Sequence, residues 1–154
     1  MIQRAEEKDI PELLRLLAQV NLVHHQGRPD LFRLGTKYDA DALRALLADE
    51  KRPVFADVDG AGRMAGYAFC VLKQELNSPL LTDIRTLYID DLCVDEICRG
   101  RGVGRGLFAH VKAYAAETGC HNVTLNVWCL NEGAMRFYER LGLKPQKIGL
   151  EMIL

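Results

Sequence analysis

The sequence predicts a mixed α/β (α+β) fold, and three observations carry that expectation. Short runs of β-branched and large apolar residues, of strand length, are interleaved with longer stretches whose apolar residues recur at helical spacing. Glycine, proline and capping residues stand at the boundaries between them. The chain is 154 residues long, 49% hydrophobic and 27% charged, which suits one compact domain better than two domains or a disordered segment.

Residues 2–5 read as a short first strand. Asp9-Ile10-Pro11-Glu12 then combines a capping Asp, an early Pro and an acid three residues on, which signals a helix start. Ile10, Leu13, Leu14, Leu17 and Val20 form its apolar face, which runs to about His25 before Gly27 interrupts it. The stretch 27–37 reads as irregular. A second helix is expected over 41–49, with Ala42, Leu43, Leu46 and Leu47 facing inward, ending ahead of Pro53. Strands at 54–58 and 64–72 flank Asp59-Gly60-Ala61-Gly62-Arg63, a glycine-containing hairpin connection. After a polar loop at Asn77-Ser78-Pro79, residues 85–94 read as a central strand. The run Arg99-Gly100-Arg101-Gly102-Val103-Gly104-Arg105-Gly106 passes into a helix carrying Val103, Leu107, Phe108, Val111, Tyr114 and Ala115, stopped by Gly119. Residues 121–128 read as a further strand. Asn131 caps a helix with the stripe Ala134, Phe137, Tyr138 and Leu141, Gly142 ends it, and 144–154 reads as the last strand.

Twenty Lys and Arg stand against twenty-one Asp and Glu, so no general attraction for nucleic acid or anionic lipid is expected. No run approaches the ~18 apolar residues of a membrane span, and no apolar signal core follows Met1, which points to the cytoplasm. The five cysteines, Cys70, Cys93, Cys98, Cys120 and Cys129, form no C-x-x-C pair and read as reduced, mostly buried thiols. His24 and His25 diverge on a helix and no carboxylate-rich cluster surrounds the histidines, so no metal is expected.

The chemistry concentrates at the strand, loop and helix between Leu87 and Gly119. Glycines there let the backbone approach a ligand closely, while the new helix offers free N–H groups and a positive dipole end. Arg99, Arg101 and Arg105 add a dense local charge that favours diphosphate over a single carboxylate. A Walker loop needs a Gly-Lys pair, and none occurs. Gly104-x-Gly106-x-x-Ala109 matches a dinucleotide fingerprint nominally, but those residues lie inside the helix pattern and no suitably spaced acid follows.

Arg99-x-x-Gly102-x-Gly104, directly after a strand ending Leu92-Cys93-Val94, resembles the coenzyme A pyrophosphate loop of the GNAT N-acetyltransferases. Asn131-x-x-Ala134-x-x-Phe137-Tyr138, then Gly142-Leu143, is similar to that family's later helix, and the element order matches across nearly the whole chain. The resemblance implies the GNAT acyl-CoA N-acyltransferase fold, a mixed, mostly antiparallel sheet flanked by helices, over 1–154 as a single domain. It also implies acetyl-CoA as co-substrate. Leu92, Cys93 and Val94 would pair by their backbone with the pantetheine arm, and Arg99, Gly100, Arg101, Gly102, Val103, Gly104 and Arg105 would hold the diphosphate. Asn131 would reach the coenzyme by its amide, and Phe137 would line the thiol end or pack in the core.

An aliphatic amine, with a pKa of about 10, must lose a proton before it attacks a thioester. Asp90 and Asp91 stand just before the cofactor-binding part of the strand, and alternation would put their side chains on opposite faces. Asp90 resembles the acid that polyamine acetyltransferases of the family carry on this strand and is the preferred base, with Asp91 or a water as alternatives. The carbonyl oxygen needs a backbone donor and the leaving sulfur needs an acid, a role a tyrosine takes in this family at the helix position held by Tyr138.

The acceptor amine is not legible. His24, His25, Phe32, Tyr38 and Glu75 could line its pocket, and it could be a small polyamine, an aminoglycoside, an amino acid, a lysine side chain or a protein N-terminus. A non-catalytic module that senses acyl-coenzyme A is the competing class, though it would have no use for Tyr138 and Asp90. The apolar end Met152-Ile153-Leu154 of the expected last strand suggests a homodimer through that strand.

Overall fold

The computed structural model describes residues 1–154. The elements run β1 (Ile2–Arg4), α1 (Ile10–Gly27), α2 (Ala40–Leu47), β2 (Val54–Val58), β3 (Met64–Gln74), β4 (Arg85–Val94), α3 (Val103–Glu117), β5 (Asn122–Leu125) and α4 (Glu132–Arg140). The five strands lie in chain order; β1 to β4 pair antiparallel and β5 joins β4 in parallel.

Alternation along β3 sorts two cores. Tyr67 and Phe69 face α1 and α2, where Leu13, Leu16, Leu17, Leu43 and Leu46 are buried; Ala68 and Cys70 face α3, against Phe108 and Val111. β4 breaks this rule. Leu87 and Ile89 belong to the α3 side, yet Cys93, an even number of residues on, belongs to the α1 side. The register steps from Phe69 opposite Asp91 to Cys70 opposite Ile89 and leaves Asp90 without a cross-strand partner. This β-bulge turns the last part of the strand over.

Gly66 meets the same strand end. A Cβ there would lie 2.7 Å from the Cys93 carbonyl oxygen and 3.0 Å from Leu107, so β3, β4 and α3 close together only over a glycine. The β2–β3 turn is held by Asp59, whose Oδ1 accepts from the backbone N–H of Ala61 and Arg63 at 2.9 Å each, with Gly62 at φ 83°.

Four sequence expectations are corrected. Asp9 does not cap α1 forward: its carboxylate accepts from the Glu6 N–H at 2.8 Å, closing the 3-10 turn Glu7–Asp9, and Glu12 bonds Arg15 and the Met64 N–H instead. The buried face of α1 includes Leu16, while Leu14 and Val20 are only partly covered. The strand expected over 121–128 ends at Leu125. The strand expected over 144–154 does not form; the segment joins no ladder, with Ile148, Leu150, Met152 and Leu154 all exposed. Its alternating apolar pattern satisfies strand propensity, but a strand needs a neighbouring edge and this segment meets none within the chain.

Candidate active site

β4 and β5 share only the stretch Thr86 to Ile89, paired with Asn122 to Leu125, and then separate. Beyond the bulge, Leu92, Cys93 and Val94 pair with Ala68, Tyr67 and Gly66 on one side and with nothing on the other. An open backbone edge of donors and acceptors therefore runs down to the start of α3. The Cys93 side chain is buried, donates to the Leu16 carbonyl at 3.8 Å, and burial pushes its thiol up to about 12, so it is no nucleophile.

Below this edge, Gly100 and Gly102 both have left-handed φ, 76° and 85°, and a Cβ on either would meet nothing within 4 Å. Gly102 is the N-cap of α3, with no side-chain cap and no acid in the first turn, so the leading N–H groups are open to a ligand. Arg99, Arg101 and Arg105 are exposed around it and pair with no carboxylate. Open backbone, unpaired arginines and a helix dipole suit a diphosphate. Gly104 is buried, and a Cβ there would come within 3.1 Å of the Phe137 ring and 3.4 Å of Val94. Phe137 thus packs α4 onto the loop and the strand end.

The approach to this loop is set by a buried ion cluster. Asp95, 1% exposed, ends β4; Arg15 Nη1 lies 2.6 Å from it, with Arg63 and Gln19 at 3.4 Å, and its Oδ1 accepts from the Ile97 N–H. Arg15 also bonds Glu12 and the Met64 carbonyl. Burial opposes the charge of Asp95, but Arg15 and Gln19 hold its carboxyl below the ordinary value.

The bulge brings Asp90 and Asp91 to the same side, against the expectation of opposite faces. Asp90 Oδ2 accepts from Lys37 Nζ at 2.6 Å and from the Tyr38 hydroxyl at 3.3 Å, both residues of the α1–α2 connection. Asp91 Oδ2 accepts from the buried Tyr67 hydroxyl at 2.7 Å. Burial pushes the Asp91 carboxyl above its usual range, against the pull of Tyr67, Lys37 and His24. Tyr138 feels the same carboxylate: burial first, then the charge of Asp91, raises its hydroxyl well above 10. Asn131 Oδ1 accepts from the Ala134 N–H at 3.1 Å as a helix cap, which leaves its amide N–H groups free for a ligand.

The α1–α2 connection is locked to the loop after β5. The Phe32 ring lies tilted against His24 at 4.9 Å and meets Trp128 edge-on at 5.3 Å, while His25 Nδ1 lies 2.6 Å from the Phe32 carbonyl. His24, His25 and Phe32 are therefore brought together, while Tyr38 meets Asp90 and Phe69 instead; Glu75 is exposed beyond the end of β3 and joins none of them. Trp128 escaped sequence reading because it was assigned to a strand. Tyr67 escaped because a core tyrosine two residues into an apolar run carries no mark of the carboxylate it will meet. No group of three His, Cys, Asp or Glu is placed to hold a metal.

The sheet thus splays beside a phosphate-suited loop, with two neighbouring carboxylates on β4 where it opens. The chain belongs to the acetyltransferase (GNAT) family, whose model matches residues 19–143. It is 26% identical to the bovine thialysine N-epsilon-acetyltransferase over 92% of this chain and 82% of that protein. An uncharacterized N-acetyltransferase of Methanocaldococcus jannaschii is 38% identical over 60 residues, 39% of this chain and 26% of that one. The crystal structure of a mutant Bacillus halodurans protein superposes with a TM-score of 0.95 at 33% identity, covering 100% of this chain and 99% of the other. Family membership makes this an acetyltransferase that uses acetyl-CoA as co-substrate and transfers the acetyl group to an amine. No helix is long and apolar enough to cross a membrane.

Proposed function

We propose that the protein acetylates a small cationic primary amine by direct attack in a ternary complex, with the amine entering between the α1–α2 connection and β4. The observation that carries this reading is the placement of two carboxylates, Asp90 and Asp91, beside the open edge of β4, with the charge of Asp91 felt by Tyr138. Arg99 to Arg105 hold the diphosphate through Gly100, Gly102, Val103 and Gly104 backbone groups and the arginine charges. Leu92, Cys93 and Val94 bind the pantetheine arm by their free backbone edge, and Asn131 offers its amide.

Sequence reasoning preferred Asp90 as the base, and partners separate the two acids. Asp90 is neutralised by Lys37, whereas Asp91 carries a raised carboxyl, closer to the pKa a base needs near neutral pH. Asp91 takes the amine proton, directly or through a water, and Asp90 holds the acceptor's charge. Backbone N–H groups on the free edge of β4 meet the charge on the carbonyl oxygen. Tyr138 gives its proton to the departing sulfur. The steps are coupled: once Asp91 is protonated, one cause of the raised Tyr138 pKa is gone, so the hydroxyl becomes a better acid as the sulfur departs.

Thialysine, named for the bovine relative, is an amino acid with a side-chain amine and belongs among the first acceptors to try. All five cysteines are free, which supports a reducing cytoplasmic setting. The exposed apolar segment 144–154 and the open outer edge of β5 support a homodimer; a solution mass of one chain at micromolar concentration contradicts it. Calorimetric titration with acetyl-CoA, then a thiol-release assay over a panel of amines, tests the function. Binding with release for one amine class is expected. Binding without release from any amine favours a sensor, and no binding overturns the reading.

A further inference from the structure

We propose that Lys37 is an internal acceptor, acetylated in cis on Nζ by this same site when no other amine occupies it. The inference rests on the acetyltransferase site described above. Lys37 lies on the connection between α1 and α2, yet its amine reaches β4, 53 positions along the chain, and sits 2.6 Å from Asp90 Oδ2. Its Nζ also lies over the Tyr38 ring, 5.6 Å from the centroid. Of the lysines, Lys37 alone pairs with a carboxylate of this strand; Lys8 pairs with Glu6, and Lys73 lies over Tyr88. The side chain is 45% exposed, so the amine is open to solvent on one side of its ion pair. Asp91 is the residue next to Asp90, and its charge is felt by both Lys37 and Tyr138. The amine thus stands where the acceptor's amine is proposed to stand.

The step balances without a further reagent. The ammonium of Lys37 gives a proton to Asp91, its nitrogen forms a bond to the thioester carbonyl carbon and loses a second proton to solvent, the carbon–sulfur bond breaks, and the sulfur takes a proton from Tyr138. Tyr138 is then reprotonated through Asp91 or solvent. The products are an amide on Lys37, free coenzyme thiol and one net proton. Pairing with Asp90 keeps the amine protonated, so the reaction is slow beside turnover of a free amine. The amide is neutral and no longer neutralises Asp90, which leaves that carboxylate to a cationic acceptor.

The test incubates the full chain with acetyl-CoA and no added amine, followed by intact-mass and peptide mass spectrometry. One acetyl group on Lys37 is expected, with a rate constant independent of protein concentration and at least tenfold lower in Tyr138→Phe. Lys37→Arg, which keeps a cation for Asp90, should take up none at this position and no replacement elsewhere. Acetyl groups spread evenly over surface lysines, a rate that grows with protein concentration, or a rate unchanged in Tyr138→Phe would each overturn the inference. Transfer to an added amine without modification of Lys37 overturns it and leaves the acetyltransferase reading intact. Failure of both, with coenzyme bound, strikes that reading instead.

Discussion

The Tyr67 hydroxyl donates to Asp91 Oδ2 at 2.7 Å, and this bond joins the most enclosed aromatic of the core to a carboxylate at the fork of the sheet. It restrains a group that burial alone would push further up, since hydrogen bonding to the ionised form lowers a carboxyl pKa. A base must be ionised to act, so kcat/KM should rise with pH through the Asp91 pKa, above the ordinary value of 3.8. Tyr67→Phe removes the donor, raises that pKa and moves the acid limb of the pH–rate profile to higher pH. An acid limb that stays in place shows that Asp91 does not set it.

The two neighbouring acids should respond differently to amidation. Asp91→Asn is expected to lower kcat by about 10²- to 10⁴-fold, the usual range for a lost general base. Asp90→Asn should act mainly on the acceptor's KM, because its carboxylate holds charge. Steady-state kinetics with a saturating and a varied amine separates the two, and the reverse pattern returns the base role to Asp90.

Asp95 ties the acid stability of the fold to the cluster it forms with Arg15, Arg63 and Gln19. Its folded pKa is depressed below 3.8, so its stabilising contribution is present above the unfolded pKa and lost as pH falls through the folded value. Asp95→Asn removes the charge facing Arg15 and should be destabilising at neutral pH by about 1–3 kcal/mol, the range for a hydrogen bond to a charged group, because Arg15 is partly exposed and keeps its pair with Glu12. The acid limb of stability below pH ~4 should flatten in the same variant. Urea midpoints from pH 3 to 7 read both effects.

Gly66→Ala should be destabilising by about 1–3 kcal/mol, the range for overpacking a close contact, because backbone rather than a flexible side chain stands in the way. Gly60→Ala, where a Cβ meets nothing within 4 Å, is the matched control and should be near neutral. Equal urea midpoints for the two would show that β3, β4 and α3 can part at little cost.

Much of this was legible in local pattern. Helical spacing in α1, α2, α3 and α4 and the glycine punctuation at Gly62, Gly119 and Gly142 are short-range signals, and all three glycines have positive φ. The phosphate-suited loop was legible for the same reason: its glycines and arginines are contiguous. The bulge at Asp90 was not, because an unpaired residue in a strand depends on how the neighbouring strand is registered, and strict alternation is the only guide the chain itself offers. The side-chain partners of Asp90, Asp91 and Asp95 lie 24 to 80 positions away, beyond any local period. The segment 144–154 shows the converse, a strand-like pattern with no edge to join.

The most direct test of the central claim compares Tyr138→Phe with the parent chain in two measurements on one preparation, coenzyme affinity by calorimetry and turnover by thiol release. Removing the hydroxyl should lower kcat at least tenfold and leave the acetyl-CoA Kd within about twofold, since the group acts on the departing sulfur and not on bound coenzyme. Unchanged turnover, or a parallel loss of affinity and rate, would contradict the role of Tyr138 as the acid of the transfer.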